Sequence, residues 1–489
     1  MSGDLYRLAM TVLHPGYEGT SAPDWLRRAL GEGLGGVVLF SRNAINEQLV
    51  RHFRAENPHA VVAIDEEGGA VTRLEVAAGS SFPGNKALGV VDDVALTERV
   101  GRQIGRMLAE LDITLDYAPS ADVNSNPANP VIGVRSFGPT PDLVARHTVA
   151  YVDGVQGAGV AACAKHFPGH GDTVTDSHLA LPTVHASRET LFERDLPPFR
   201  AAIGAGVRSI MSGHLLIPAL DPALPATLSR TVMTELLRGE LGFDGMLVTD
   251  AIEMQAVADM FAPGEIAVRA LNAGVDAICV GLSTEESLHE IRDAIVAAVR
   301  AGVLPEERLA EAAARVRALS EWYAAQQPLR DKARGDVDEG VGLDAARAAL
   351  TTSGTATLDR GPQVVEVNTR FSKAVDPATP TGITAALTAL LPDTARVQME
   401  PEGELPAFGD RPVVLVVHDA ARHAWVRETV ARAVAIRPDV IVVDTGIGAP
   451  AGEAVHVATH GISRVSAQAA AEWLSGGPQA RGHQTGGDQ

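Results

Sequence analysis

Cysteine is nearly absent: the 489-residue chain has two, Cys163 and Cys279, each inside an apolar run (GVAACAKH and VDAICVG). Thiols in such runs read as small buried hydrophobes, which excludes a disulfide framework and predicts a cytoplasmic protein. Long hydrophobic stretches are missing too, and none approaches the roughly 18–20 residues that span a bilayer. The first residues, MSGDLYRLAMTVLHPGYEG, lack a basic segment and a continuous apolar core, so no signal peptide is expected. Basic residues are in deficit: 41 Lys and Arg against 61 Asp and Glu give a formal net charge of −20 and a pI of about 5.2. Nucleic acid and anionic membranes both attract basic surfaces, so neither is expected as a partner. Lysine is scarcest, four against 37 arginines, which gives weight to any lysine inside a motif.

What is present suffices for a large core, with 46% hydrophobic and 21% charged residues. From about residue 5 to 325, apolar β-like runs alternate with longer helical patterns. The runs are 35–40, 60–65, 113–118, 159–166, 207–214, 245–250 and 276–281, with an eighth expected near Leu8–Leu13. Helical periodicity covers Val94–Leu111, Pro141–Gly157, Glu189–Gly204 and Glu265–Ala273. This alternation predicts an α/β fold, a (β/α)8 TIM-like barrel over residues 1–328; an open doubly wound sheet is the alternative. A charged, glycine-containing linker is expected over 329–343 and a smaller αβα sandwich-like domain over 344–476. That domain has strands at 364–368, 411–419 and 440–446 and a helix over Ala421–Ile436. A polar tail, 477–489, reads as disordered.

The polar, glycine-rich segments directly follow the barrel strands, where such barrels assemble their chemistry. The densest is KHFPGHGDTVTDSH, residues 165–178, with three histidines, two aspartates and a lysine. A solvated polar loop is the plain reading. A metal site built from His166, His170, Asp172 and His178 is a second, although the spacing matches no zinc signature. General acid/base chemistry is the third: Asp176 and His178, two residues apart in an extended loop, can hydrogen-bond, and the carboxylate then tunes the imidazole. Asp250, at the end of the run GMLVTD, supplies a candidate nucleophile beside that pair. Carboxylate plus acid/base is the retaining glycosidase arrangement, with histidine standing in for the usual second carboxylate. Asp65, Arg73, Arg135, Lys165 and His166 add charged and bidentate groups suited to sugar hydroxyls.

The strings GGVVLFSRN, AIDEEGGAVTRL, DYAPSADVNSNPANPVIGVRSFG, KHFPGHGDTVTDSHLALP and LGFDGMLVTDAIEM resemble family 3 glycoside hydrolases, specifically the β-N-acetylglucosaminidase branch. The resemblance runs across residues 35–255. It implies Asp250 as nucleophile, His178 as acid/base with Asp176 as its partner, and Asp65, Arg73, Arg135, Lys165 and His166 as substrate contacts. Glu66 stands where the family commonly has glutamine. Ala251 stands where the β-glucosidase branch has tryptophan. The implied activity is retaining hydrolysis of terminal β-linked N-acetylglucosamine from muropeptide or chitin-derived saccharides, with no cofactor and no metal. Phosphorolysis at the same centre, a metal-dependent hydrolase and a non-catalytic sugar-binding barrel are the alternatives. The second domain carries no trusted motif; its His418-Asp419 pair is assigned no catalytic part.

Overall fold

The computed structural model describes residues 2–369, 371–449, 452 and 454–477. The expected tail falls, beyond Gly477, outside the described residues. Two compact units are distinguished, and each is interleaved in sequence. One comprises Met1–Glu66, Thr97–Ser125 and Pro139–Asp338; the other comprises Glu67–Leu96, Asn126–Gly138 and Glu339–Gln489.

The first unit is the barrel. Its strands are β1 (Leu13–Pro15), β2 (Gly36–Leu39), β3 (Val61–Ile64), β4 (Leu115–Asp116), β5 (Ala161–Phe167), β6 (Ser209–Ser212), β7 (Met246–Thr249) and β8 (Ile278–Val280). Strands β2 to β7 pair in sequence order, all parallel, and β1 pairs in parallel with β8. A bridge from Val248 to Ala277 joins β7 to β8, and Gly35 N donates to Met10 O beside β1. The strands are buried on both faces, which is why they read as continuous apolar runs. Val38, Val61, Ala63, Tyr117, Cys163, Met211, Val248 and Cys279 belong to one core cluster.

The helices outside follow from their sequence. In Pro141–Gly157 a proline opens the helix with Asp142 in the first turn, and Val144, His147, Tyr151, Val152 and Val155 form the buried face. Residues 189–204 do not form one continuous α-helix. A wide turn over Leu191–Asp195, with Leu196 N bonded to Leu191 O, precedes the helix Pro197–Gly204. The two prolines that follow have no N–H to continue the regular ladder. The eighth strand also needs correction, because Ser2–Thr11 is helical and the strand begins at Leu13. Leu5, Ala9 and Met10 are buried at helical spacing, and Thr11 Oγ1 donates back to Arg7 O at 2.8 Å.

Among the described residues the second unit holds six strands: β9 (Thr351–Ser353), β10 (Gln363–Val367), β11 (Ala395–Met399), β12 (Val413–Val417), β13 (Ile441–Asp444) and β14 (Val455–Ala458). Their order is β11-β10-β12-β13-β14-β9, parallel except for β9. Along β12, Val414 and Val416 join one hydrophobic cluster while Val413, Leu415 and Val417 join another. Alternate residues therefore feed two cores, one on each face, as in an αβα sandwich. The segment expected as a linker is helical at both ends, Gln327–Arg334 and Val341–Ala349, and the division between units falls inside it after Asp338. Among the described residues no helix is long and apolar enough to cross a membrane.

One barrel residue has a measurable consequence. His14 on β1 is fully buried, and neither ring nitrogen has a hydrogen-bond partner among the described residues. Burial lowers its pKa to about 3, so the folded chain excludes a proton that the unfolded chain accepts below pH 6.5. Stability is therefore lost as pH falls from 6.5 towards 3, by about 2 kcal/mol at pH 5. Urea unfolding of wild type and His14→Leu should show the variant gaining that amount at pH 5 relative to pH 8. An unchanged pH slope in the variant would contradict this account of His14.

Candidate active site

The candidate residues of the barrel unit lie at or just beyond the carboxyl ends of its strands. Asp65 follows β3, Lys165 and His166 lie near the end of β5, the loop of Asp176 and His178 follows β5, and Asp250 follows β7. The Lys165–His166 and Phe167–Pro168 peptides are both cis. Lys165, 1% exposed, donates from Nζ to Asp65 Oδ1 at 2.7 Å. A fully desolvated ammonium facing a carboxylate is stable only as a pair.

Asp122, beyond β4, organises the next layer. Its carboxylate accepts from Ser120 Oγ (3.0 Å), from the His166 backbone N–H (3.2 Å) and from the His170 N–H (2.6 Å), and it meets His166 Nδ1 at 2.8 Å. Complete burial pushes its pKa up, but His166 and His170 outweigh that and hold it below the ordinary range. A carboxylate only accepts, so His166 carries its proton on Nδ1 and presents Nε2 elsewhere. Gly171 packs against the Val123 carbonyl, where a Cβ would collide. His170 then spans the loop, with Nδ1 at 2.8 Å from Thr173 Oγ1 and Nε2 at 3.2 Å from Ser177 Oγ.

At the end of this braced loop stands the expected pair. Asp176 Oδ1 lies 2.7 Å from His178 Nδ1 and also accepts the His178 backbone N–H at 2.9 Å. Burial raises the Asp176 pKa, yet the bonds to His178 carry it below the usual value. The His178 side chain keeps 26% exposure, so its far nitrogen can reach a ligand. Asp250 donates its backbone N–H to Ser212 O and accepts Ala251 N–H on Oδ1 at 2.8 Å. Burial would protonate it; interactions with His166, His214 and His178, with the Ala251 N–H, depress its pKa instead.

Two organising residues escaped the sequence reading. Asp122 was visible only within a polar segment, and His214 only within SGH after β6. Position at a strand end was the available signal for both. The residues considered for a metal are otherwise engaged: Asp172 pairs with Arg194 at 2.9 Å, and His170 braces the loop. Among the described residues, no group of three or more His, Cys, Asp or Glu is arranged to hold a metal ion.

Arg73 and Arg135 belong to the second unit. There Arg135 grips Glu67 bidentately, Nε–Oε2 at 3.0 Å and Nη2–Oε1 at 2.7 Å, and both side chains are buried. Arg73 donates to Ala374 O at 3.0 Å. Glu67, the partner of Arg135, was not singled out in the sequence.

Fold and cluster together define a (β/α)8 barrel with a carboxylate–histidine centre at its carboxyl end. The profile of the glycosyl hydrolase family 3 N terminal domain matches residues 26–319, and the chain belongs to that family. Beta-hexosaminidase A of Pseudoalteromonas piscicida is 38% identical over 302 residues, 56% of this chain and 49% of that protein. Beta-hexosaminidase LpqI of Mycobacterium tuberculosis is 37% identical over 261 residues, 52% of this chain and 66% of its own. The chain thus matches about half the length of the first of these curated relatives. The structure of a glycoside hydrolase family 3 β-N-acetylglucosaminidase from Paenibacillus sp. str. FPU-7 superposes with a TM-score of 0.86 at 33% identity, covering 98% of each chain.

Because Asp122 is fully buried and serves four donors, Asp122→Asn should destabilise the fold by about 3 kcal/mol. The part-exposed Asp172→Asn should cost less than about 1 kcal/mol. Denaturant midpoints of the two variants test this, and equal costs would contradict the role given to Asp122.

Proposed function

We propose that the chain is a retaining β-N-acetylglucosaminidase that releases terminal β-linked N-acetylglucosamine from small saccharides, muropeptide fragments or chitin-derived oligomers. The observation that carries this reading is Asp250, a part-buried carboxylate held ionised among histidines, in the same unit as the Asp176–His178 pair. The names of the relatives, hexosaminidases and a β-N-acetylglucosaminidase, support the substrate class.

In the first step an Asp250 oxygen attacks the anomeric carbon while His178, protonated on both nitrogens, gives the Nε2 proton to the departing oxygen. The glycosidic C–O bond breaks and a glycosyl ester forms. Asp176 keeps the Nδ1 proton and stabilises the imidazolium. In the second step Nε2 takes a proton from water, the water oxygen bonds to the anomeric carbon, and Asp250 leaves as a carboxylate. Asp65, Lys165 and His166 are proposed to hold the sugar hydroxyls. The same part for Arg73 and Arg135 rests on the motif resemblance. We assign the chemistry to the barrel of residues 1–328 and treat 344–476 as a separate domain without catalytic residues. Two buried free thiols, Cys163 and Cys279, suit a reducing compartment, and we place the reaction in the cytoplasm.

Turnover of 4-nitrophenyl N-acetyl-β-glucosaminide in phosphate-free buffer tests the reading. Asp250→Ala should lose on the order of 10⁴-fold in kcat, and Asp176→Ala about 10²–10⁴-fold. Added phosphate should leave the wild-type rate unchanged. Acceleration with N-acetylglucosamine 1-phosphate as product would instead assign phosphorolysis, and wild-type turnover by Asp250→Ala would overturn the nucleophile.

A further inference from the structure

The residue after Asp250 is held more firmly than a loop residue needs to be. The Ala251 carbonyl accepts the Met254 N–H at 3.1 Å and lies 3.1 Å from His214 Nε2. His214 comes two residues after β6, is fully buried and packs its Nδ1 2.9 Å from Thr227 Oγ1. Thr227 is also buried and lies 3.1 Å from Ser212 Oγ; its hydroxyl also approaches Gly213 O at 3.0 Å.

Donor bookkeeping fixes the tautomer. A backbone carbonyl only accepts, so His214 Nε2 carries the ring proton; burial lowers the ring's pKa and leaves Nδ1 an acceptor, and the single Thr227 hydroxyl proton is shared between Nδ1 and Gly213 O. Ser212 then donates to Thr227, and the chain runs Ser212, Thr227, His214, Ala251 O. Ser212, Thr227 and His214 are fully buried, so the hydrogen bonds among them are not in competition with water and they hold one geometry. The far end of the chain is Ala251, whose own N–H occupies Asp250 Oδ1.

We propose that His214 is a positioning residue for Asp250: by holding the Ala251 carbonyl it keeps the Ala251 N–H on Oδ1 and leaves Oδ2 to meet the anomeric carbon. This rests on the reading of Asp250 as nucleophile. With no exposed surface, His214 does not itself touch substrate; it acts through the backbone that carries the carboxylate. A nucleophile misplaced by about 1 Å loses on the order of 10²-fold in rate while ground-state binding is nearly untouched. The effect of losing His214 therefore belongs in kcat and not in KM.

The experiment compares wild type, His214→Phe, His214→Gln, Thr227→Val and Asp250→Ala on 4-nitrophenyl N-acetyl-β-glucosaminide, with melting temperatures recorded throughout. His214→Phe should lower kcat by about 100-fold with KM within about threefold. His214→Gln, which restores an amide donor near the Nε2 position, should recover part of the loss. Thr227→Val, which removes the partner of Nδ1 together with the bonds to Ser212 and Gly213 but leaves the His214 ring in place, should lose about tenfold. If His214→Phe does not fold, the glutamine and Thr227 variants carry the test by the same kcat and KM split. Asp250→Ala with azide checks the underlying reading: azide bonds to the anomeric carbon from the vacated side, 4-nitrophenolate leaves, and the α-glycosyl azide forms. Azide product together with unchanged kcat in the folded His214 and Thr227 variants, or with a rise in KM alone, would overturn the positioning role and spare the nucleophile. Full activity in Asp250→Ala without azide product would overturn both.

Discussion

A carboxylate partly withdrawn from water is pushed towards protonation, and the barrel mouth is arranged so that Asp250 stays ionised. Burial raises its pKa, and the electrostatics of His166, His214 and His178 with one backbone N–H carry it back below the ordinary value. Each imidazole is oriented by its own partner: His166 by Asp122, His178 by Asp176, His214 by Thr227. The three rings come from β5, the loop after it, and the segment after β6, which makes the strand ends the common frame.

Asp122 links this electrostatic arrangement to chain conformation. By accepting the backbone N–H groups of His166 and His170 it fixes where the chain leaves β5, and His170 carries that constraint forward to Ser177, next to the Asp176–His178 pair. The loop is therefore organised from inside the protein and not by its own secondary structure. The opposite end of the barrel uses a buried carboxylate differently. Asp276, just before β8, is fully buried and bridged by Arg238 and by Arg308 at 2.7 Å, with its Oδ2 also accepting Leu247 N–H. There the charge is neutralised by fixed cations and serves stability; at the carboxyl end it faces titratable groups that can exchange a proton.

Much of the fold was legible because a parallel barrel strand is buried on both faces. GGVVLF, AVVAID and GMLVTD could hardly be read otherwise. The failures have local causes. Residues 8–11 share their apolar content between a helix and the strand that follows, and only the spacing of Leu5, Ala9 and Met10 separates them. Strand β11 was invisible because it lies at a sheet edge with Ala395, Arg396 and Gln398 exposed, leaving no apolar pattern. The Asp176–His178 contact was legible because two residues of extended chain suffice to make it. Asp122 and His214 were not, since their roles arise from bonds to residues 44 and 37 positions away. Arg135 was singled out in the sequence as a substrate contact, but its bidentate grip on Glu67 depends on the fold of the second unit and left no mark in the motif.

The proposed mechanism requires that Asp250 form a bond to sugar. The most direct measurement is to inactivate the protein with a 5-fluoro N-acetylglucosaminyl fluoride, which slows release of the glycosyl ester, and to map the adduct by peptide mass spectrometry. The account predicts a single glycosyl increment on the peptide containing Asp250, localised to that carboxylate and lost when turnover resumes. An adduct on Asp65 or Glu253, or turnover of the fluoride with no adduct on any carboxylate, would contradict it.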